Sequence, residues 1–592
     1  MAQNNTPLWE TARELCNTAM GRAPADLVIR GGRLVNVCTG EIQENIDVAV
    51  KNGRIALVGD ASALAPHAAR VVDAAGRYLA PGFIDAHIHV ESSMLTVSEF
   101  AKAALPHGTS AIFMDPHEIV NVLGLEGMKA MMEDAKTTPL RVYVTTPSCV
   151  PAASGLEDSG STVSARDIAE TMGWETVAGL GEMMDFGGIL KGDEKAHAKV
   201  AAALAAGKPV TGHFPLSDTG ASLNAYLASG IGSCHESVRA EEALAKMRLG
   251  AYAMLREGSA WDDLPEVVRA ITEHRVDTRF AVLVSDDLHA ETLLSEGHVD
   301  RILRMAVRHG VGTVTAIQMA TINAASCFGL ERELGSIAPG RCADINLLDD
   351  LAEMRVSMSI VGGEVVYEDG ALKVAFGTYR YPEAFLHSVH LPELAQEAFR
   401  IPGGQGAARV MEVRGGSVVT REARLALPEK DGFVWADPAN DVCKAAVFNR
   451  HTKPGQKGLG FVKGLGITRG AVASTYAHDA HNLLVVGASD TDMACAANTL
   501  IRCGGGLCAV LDGRPLSVLE LPVAGLLSLT PAAETARLLR ELEDAWRTLG
   551  SALPSPFMTM SLLSLAVIPQ LRLTDKGLVD VLAGKLVPLF PG

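Results

Sequence analysis

The spacing of apolar positions changes several times along the chain. Leu8, Ala12, Leu15 and Ala19 recur every three to four residues and predict an amphipathic helix within an N-terminal segment, residues 1–24. Residues 25–80 then switch to short β-rich runs cut by Gly and Asn, such as DLVIRGGRLVNV and IDVAVKNGRIALVGD. From Pro81 to about Gly335, short apolar runs alternate with helix-like segments such as VSEFAKAAL and EKAHAKVAAALAAG. Strands are predicted to end near His89, Asp115, Thr146, Glu182, His213, His235, Arg256 and Asp286. Eight strand–helix units in about 250 residues predict an α/β fold of the (β/α)8 TIM-barrel type, residues 81–335.

After the barrel, residues 336–400 return to β-type runs. With residues 25–80 they are expected to form a small β-sandwich domain, into which the barrel is inserted. Residues 405–592 mix strand-like AAVFNRH and HNLLVVGAS with helical ETARLLRELEDAWRTLG, predicting a separate C-terminal α+β domain. The Gly-rich stretch at 401–408 is the linker candidate.

Composition narrows the class. The chain has 592 residues, 48% of them hydrophobic and 20% charged, which is globular usage and excludes a disordered or fibrous chain. A net charge of −17 argues against nucleic-acid or anionic-membrane partners. The ten cysteines are scattered without a CxxC pair, as expected of free thiols in a reducing compartment. The first residues, MAQNNT, lack the basic and apolar regions of a signal peptide. The apolar stretch 558–568 is too short to span a bilayer. A cytoplasmic protein, and a homo-oligomer, are expected.

The candidate chemistry lies at the predicted strand ends. His87 and His89, in PGFIDAHIH, are two apart on a β run, so both imidazoles share one face. Such a pair makes half of a metal site, although two histidines in a polar loop would look the same. Glu182, His213, His235 and Asp286 end predicted strands four, five, six and eight. Barrel enzymes carry their chemistry at these ends, and the set together predicts a metal centre. Arg256, ending strand seven, is left between contact with a substrate ring and pairing with an acid. His478, Asp479 and His481 are left between a third metal site, a reach into a neighbouring subunit, and a loop hydrogen-bond network. Gly504–Gly506 has the look of a phosphate nest without the continuation of a P-loop.

PGFIDAHIH and the SIAPGRCADINLL block resemble the amidohydrolase superfamily over residues 25 to about 375. More narrowly, HVESSM at 89–94, DPHEI at 115–119, GEMMDF at 181–186, SDD at 285–287, AHDAHN at 477–482 and TDKGL at 574–578 resemble the bacterial adenine deaminases of that superfamily, over nearly the full chain. The resemblance implies two divalent cations, Mn2+ first, with Fe2+ or Zn2+ as competitors. It implies His87, His89 and Asp286 on one metal, His213 and His235 on the other, and Glu182 as the bridge. It implies hydrolysis of adenine to hypoxanthine and ammonia, with a metal-activated hydroxide attacking C6. Asp286 is then expected to shuttle the proton. Glu91 is the expected donor to purine N1, with His117 and Glu118 as second candidates. Ser92, Glu118, Asp185 and Arg256 are further expected substrate contacts; Asp185 would alternatively hold the loop after Glu182, and Ser92 and Ser93 would alternatively cap a helix. Another amidohydrolase reaction, on a different aminopurine or a cyclic amide, stays open. So does a non-catalytic barrel scaffold, which the filled ligand positions argue against.

Overall fold

The computed structural model describes residues 6–259, 262–414, 418–453 and 455–591; the first five residues, read above for a leader, lie outside them. The N-terminal helix spans Leu8–Ala19. Among the described residues, no helix is long and apolar enough to cross a membrane.

Eight parallel strands position the site. They are β1 (Phe83–His89), β2 (Thr109–Met114), β3 (Arg141–Thr146), β4 (Val177–Met183), β5 (Val210–Gly212), β6 (Ser233–Cys234), β7 (Tyr252–Arg256) and β8 (Ala281–Val284). Strands β1 to β5 pair in chain order, and β6 to β8 form a second parallel ladder. The Gly232 N–H donates to Val210 O at 2.9 Å between the two ladders. Asp286–Asp287, just beyond β8, pairs with Ile88–His89 of β1. This curled parallel arrangement fits a barrel. The strands read as near-continuous apolar runs because both faces are covered. Val142, Ile112 and Met114 pack outward with Phe100, Met128 and Met131, whereas Phe113, Val282 and Val284 pack inward with Ile84 and Phe328. The β1–β2 register slips between Asp85 and Ile88. Inward-packed Ile84 and Ala86 are followed by Ile88, which joins the outer cluster. The slip re-aims the strand end, as bulges beside sites do, and turns His87 and His89 inward.

The segments flanking the barrel meet in one sheet. Ile345–Asp350 pairs antiparallel with Tyr78–Pro81, giving nine strands drawn from residues 27–81 and 345–372. The hydrogen bonds run continuously through Tyr78–Pro81, so the two β blocks are joined, and Leu27, Ile29 and Val48 of the first share one buried cluster with Ile345, Leu347 and Ile360 of the second.

The C-terminal part is built on an eight-stranded sheet between Ala408 and Glu520. Its alternation sorts two faces. Ala446, Phe448, Leu483 and Val485 pack on the Asp490–Cys503 helix with Met493 and Leu500. Ala445, Val447, Leu484 and Val486 share a cluster with Leu542 and Trp546 of the Ala532–Leu549 helix. The expected linker at 401–408 is part of this unit. Ile401–Pro402 pairs with Phe433–Val434, and the upstream residues Leu391, Leu394 and Phe399 already pack in the same core. The apolar side chains around the glycines decided the outcome. Gly505 and Gly506 make a close-packed turn: a Cβ on Gly505 would lie 2.5 Å from Gly525 Cα, and one on Gly506 2.1 Å from Leu519 O.

Candidate metal centre and its roof

His87, His89, Glu182, His213, His235 and Asp286, gathered from five strand ends, meet in one buried cluster. Glu182 sits at its middle. Its Oε1 lies 3.3 Å from His89 Nε2 and 4.0 Å from His87 Nε2. Its Oε2 lies 2.8 Å from His213 Nδ1 and 3.2 Å from His235 Nε2. Asp286 Oδ1 lies 3.5 Å from His87 Nε2 and 3.2 Å from His89 Nε2. Burial opposes charge on both acids. The surrounding imidazoles nonetheless hold both carboxyls well below the usual range, His235 most for Glu182 and His87 most for Asp286.

The backbone sets these positions. Asp115 Oδ2 accepts the Glu182 N–H at 2.9 Å, and the Asp115 carbonyl takes His89 Nδ1 at 2.8 Å. Gly181 lets the two strands come this close, since a Cβ there would lie 2.3 Å from Asp115 Oδ2. Asp286 is held at φ 61°, a left-handed conformation rare outside glycine. Asp85 ties β1 to the end of β8, accepting Ser285 N–H at 3.2 Å and Ser285 Oγ–H at 2.5 Å.

The cluster fits a divalent cation. His87 Nε2 has no hydrogen-bond partner among the described residues. The ligand-type atoms of His87, His89 and Asp286, and those of His87, Glu182 and His235, lie within 4.8 Å of one another. Separations of 3.2–3.5 Å suit two ligands that share one ion at about 2.0–2.2 Å from each.

The remaining predicted residues are distributed unevenly. Arg256 pairs with acids: it donates to Glu236 Oε1 and, at 3.0 Å, to Asp286 Oδ2. His117 stands in the cavity wall, with Nδ1 3.4 Å from Glu182 Oε1 and neither ring nitrogen hydrogen-bonded among the described residues. Glu118 lies behind it, 3.7 Å from His89 Nδ1. Glu91 is buried, its Oε1 accepting Ile119 N–H at 3.2 Å while Oε2 has no hydrogen-bond partner among the described residues. Burial, then the neighbouring Glu118, pushes its carboxyl well above the usual range. Ser92 does not cap a helix; its Oγ donates to Asp287 Oδ1 and meets Tyr476 OH at 2.8 Å. The following helix, Val97–Ala104, is capped by Thr96. Asp185 is not a cavity residue. It is exposed and caps the Phe186–Lys191 helix, accepting Gly188 N–H at 2.8 Å.

Over the cluster lies a cavity whose far wall comes from the C-terminal part. Val418, Leu562, Leu565 and Ile568 line it, together with His478 and Asp479. Two buried arginines hold this roof by its carbonyls. Arg572 donates to Leu562 O at 2.6 Å and Ile568 O at 2.8 Å; Arg450 donates to His481 O and, at 2.8 Å, to Ala524 O. Burial pulls both guanidiniums down to about 9. Sequence reasoning missed Glu236, Asp115 as a support, and the roof. Glu236 directly follows His235, the one signal that pointed to it.

Comparison with known proteins shows the family. Residues 78–366 match the amidohydrolase family, and residues 417–585 match the adenine deaminase C-terminal domain. An adenine deaminase of Clostridium botulinum (strain 657 / Type Ba4) is 54% identical over 591 residues, covering 99% of each chain. One from Moorella thermoacetica is 52% identical over 597 residues, covering 100% of each. Among solved structures, a β-aspartyl dipeptidase of Fervidobacterium islandicum AW-1 aligns with a TM-score of 0.45 at 17% identity, over 60% of this chain and 99% of its own. The chain belongs to the adenine deaminases of the amidohydrolase family.

Proposed function

We propose that the chain hydrolyses adenine to hypoxanthine and ammonia on a (β/α)8 barrel, residues 81–335, that holds two divalent cations. The barrel is flanked by a small β domain from residues 25–80 and 336–400 and by a C-terminal α+β domain. Its ten free cysteines suit a cytoplasmic enzyme, and a homo-oligomer is proposed. The observation that carries the reading is the split of Glu182, with Oε1 toward the β1 histidines and Oε2 toward His213 and His235. A carboxylate so placed suits a bridge, with His87, His89 and Asp286 on one side of it. Imidazole and carboxylate donors accept Mn, Fe or Zn; Mn2+ is the first choice. When bound, such cations lower the pKa of water and make a nucleophile available near neutral pH.

The chain's own residues do the rest. Arg256 holds Asp286 Oδ2, which leaves Oδ1 facing the cluster. Asp286 can take a proton from the attacking water and deliver it to the departing amine. Glu91 does not itself line the cavity; its Oε2, without a hydrogen-bond partner among the described residues, is the proposed donor to N1. His117 is the alternative donor, favoured by its place in the cavity wall. Met184, Val418, Leu562, Leu565 and Ile568 keep bulk water from the purine. An ammonia-release assay with Mn2+ across adenine, adenosine, guanine and cytosine tests the reading. Adenine should be the substrate turned over; release from another of the four with adenine inert would overturn it.

A further inference from the structure

His478 and Asp479 belong to the loop after the Ala471–Ser474 strand, yet both are buried in the wall of the cavity above the barrel cluster. They contact each other, His478 Nδ1 lying 3.4 Å from Asp479 Oδ1. His478 Nε2 and Asp479 Oδ2 have no hydrogen-bond partner among the described residues. Leaving buried polar atoms unmatched is costly, so a donor and an acceptor side by side in a cavity wall are poised for a ligand. His117 fixes where they stand. Its Nδ1 is 3.4 Å from Glu182 Oε1 and its Nε2 is 3.7 Å from Asp479 Oδ1. Glu182 and Asp479 thus lie at opposite edges of one imidazole, with the cavity alongside. The rest of the roof, Val418, Leu562, Leu565 and Ile568, is apolar.

The chemistry of the ligand then decides the match, on the premise that the substrate is adenine. The reaction is at C6, so C6 faces the Glu182 cluster. Across the six-membered ring from C6 stands N3, an acceptor, and beside it N9–H, a donor. That edge points to the roof. We propose that Asp479 accepts the N9–H hydrogen and His478 Nε2–H donates to N3, so that the C-terminal loop selects the free base over N9-substituted purines. A group on N9 would remove the donor, leave the Asp479 carboxylate unmatched, and press on Leu562 and Leu565.

The test compares KM for adenine with the inhibition constant of 9-methyladenine, in the Mn2+-loaded wild type and in Asp479→Asn and Asp479→Ala, with metal counted in each. The wild type should hold 9-methyladenine far more weakly than adenine, by about 10⁴-fold, because a site built to bind a substrate N–H rejects analogues that lack it. Asp479→Asn should raise KM for adenine by about 10- to 100-fold, leave 9-methyladenine unchanged and keep its metal. Asp479→Ala, which also makes room, should narrow the gap further. Three outcomes overturn the proposal. They are a wild type that binds both compounds within tenfold, variants that weaken both equally, and loss of metal on changing Asp479. A wild type that releases no ammonia from adenine would instead sink the premise, which the same assay shows separately.

Discussion

Asp115 carries Glu182: its Oδ2 accepts the Glu182 backbone N–H at 2.9 Å while its own carbonyl takes His89 Nδ1 at 2.8 Å. One residue therefore orients the proposed bridge and a histidine beside it, without itself lining the cavity. Supports of this kind cost about 10–100-fold in metal affinity when changed. Asp115→Ala, which removes the side-chain acceptor, should lose metal at a chelator concentration that leaves the wild type loaded. Equal retention in a chelator titration would show that Asp115 is only a packing residue.

The ligands themselves should behave as one set. Changing His87, His89, His213 or His235 to Ala should remove metal and turnover together. The fold should survive, because the inward layer below them, Ile84, Phe113, Val282 and Val284, is untouched. Metal analysis beside a thermal melt checks this. A variant that keeps full metal and normal turnover marks a residue wrongly placed in the shell.

The two proton roles separate by metal content. Asp286→Asn should lower kcat at every pH and disturb metal binding, since its Oδ1 lies within 3.5 Å of both β1 histidines. Glu91→Gln should keep its metal and lose about 10²–10⁴-fold in kcat/KM for adenine, the usual worth of a general acid. If Glu91→Gln turns over normally and His117→Gln does not, the donor is His117.

Stability should fall on acidification. His451 is buried, its ring donating from Nε2 to Ala480 O at 2.7 Å, and burial pulls it down to about 3. Between pH 6.5 and 3 the unfolded chain takes up a proton there that the folded chain refuses. Its contribution is therefore whole above pH 6.5 and is lost as the pH falls, at up to about 1.4 kcal/mol per unit. His451→Gln should flatten that acid limb in denaturant melts from pH 7 to 5. An unchanged slope would place the loss elsewhere.

Much of this was legible in the chain because strand period and strand ends are local signals. His87 and His89 share a face by spacing alone, and Glu182, His213, His235 and Asp286 each close an apolar run. What was not legible depends on distant packing. No local pattern shows that Arg256 would meet Glu236 and Asp286, or that Leu562, Leu565 and Ile568 would cover the cavity. The strand Lys457–Lys463, KGLGFVK, is masked by its glycines, yet it lies between two neighbours in the sheet. The continuous nine-stranded sheet turned on Tyr78–Pro81, four residues whose pairing with Ile345–Asp350 spans the whole barrel. Asp185 had two readings because an acid near a site and a helix cap look alike in sequence, and it holds the segment after Glu182 as a cap.

The central claim, that Glu182 bridges two cations in an enzyme that deaminates adenine, is tested most directly by one paired measurement. Metal content and ammonia release from adenine are determined on the same preparations of wild type and Glu182→Gln, both supplied with Mn2+. The wild type should hold two metals per chain and release one ammonia for each hypoxanthine formed. Glu182→Gln should fold, hold one metal or none, and lose turnover. A Glu182→Gln protein with two metals and full activity would contradict the account.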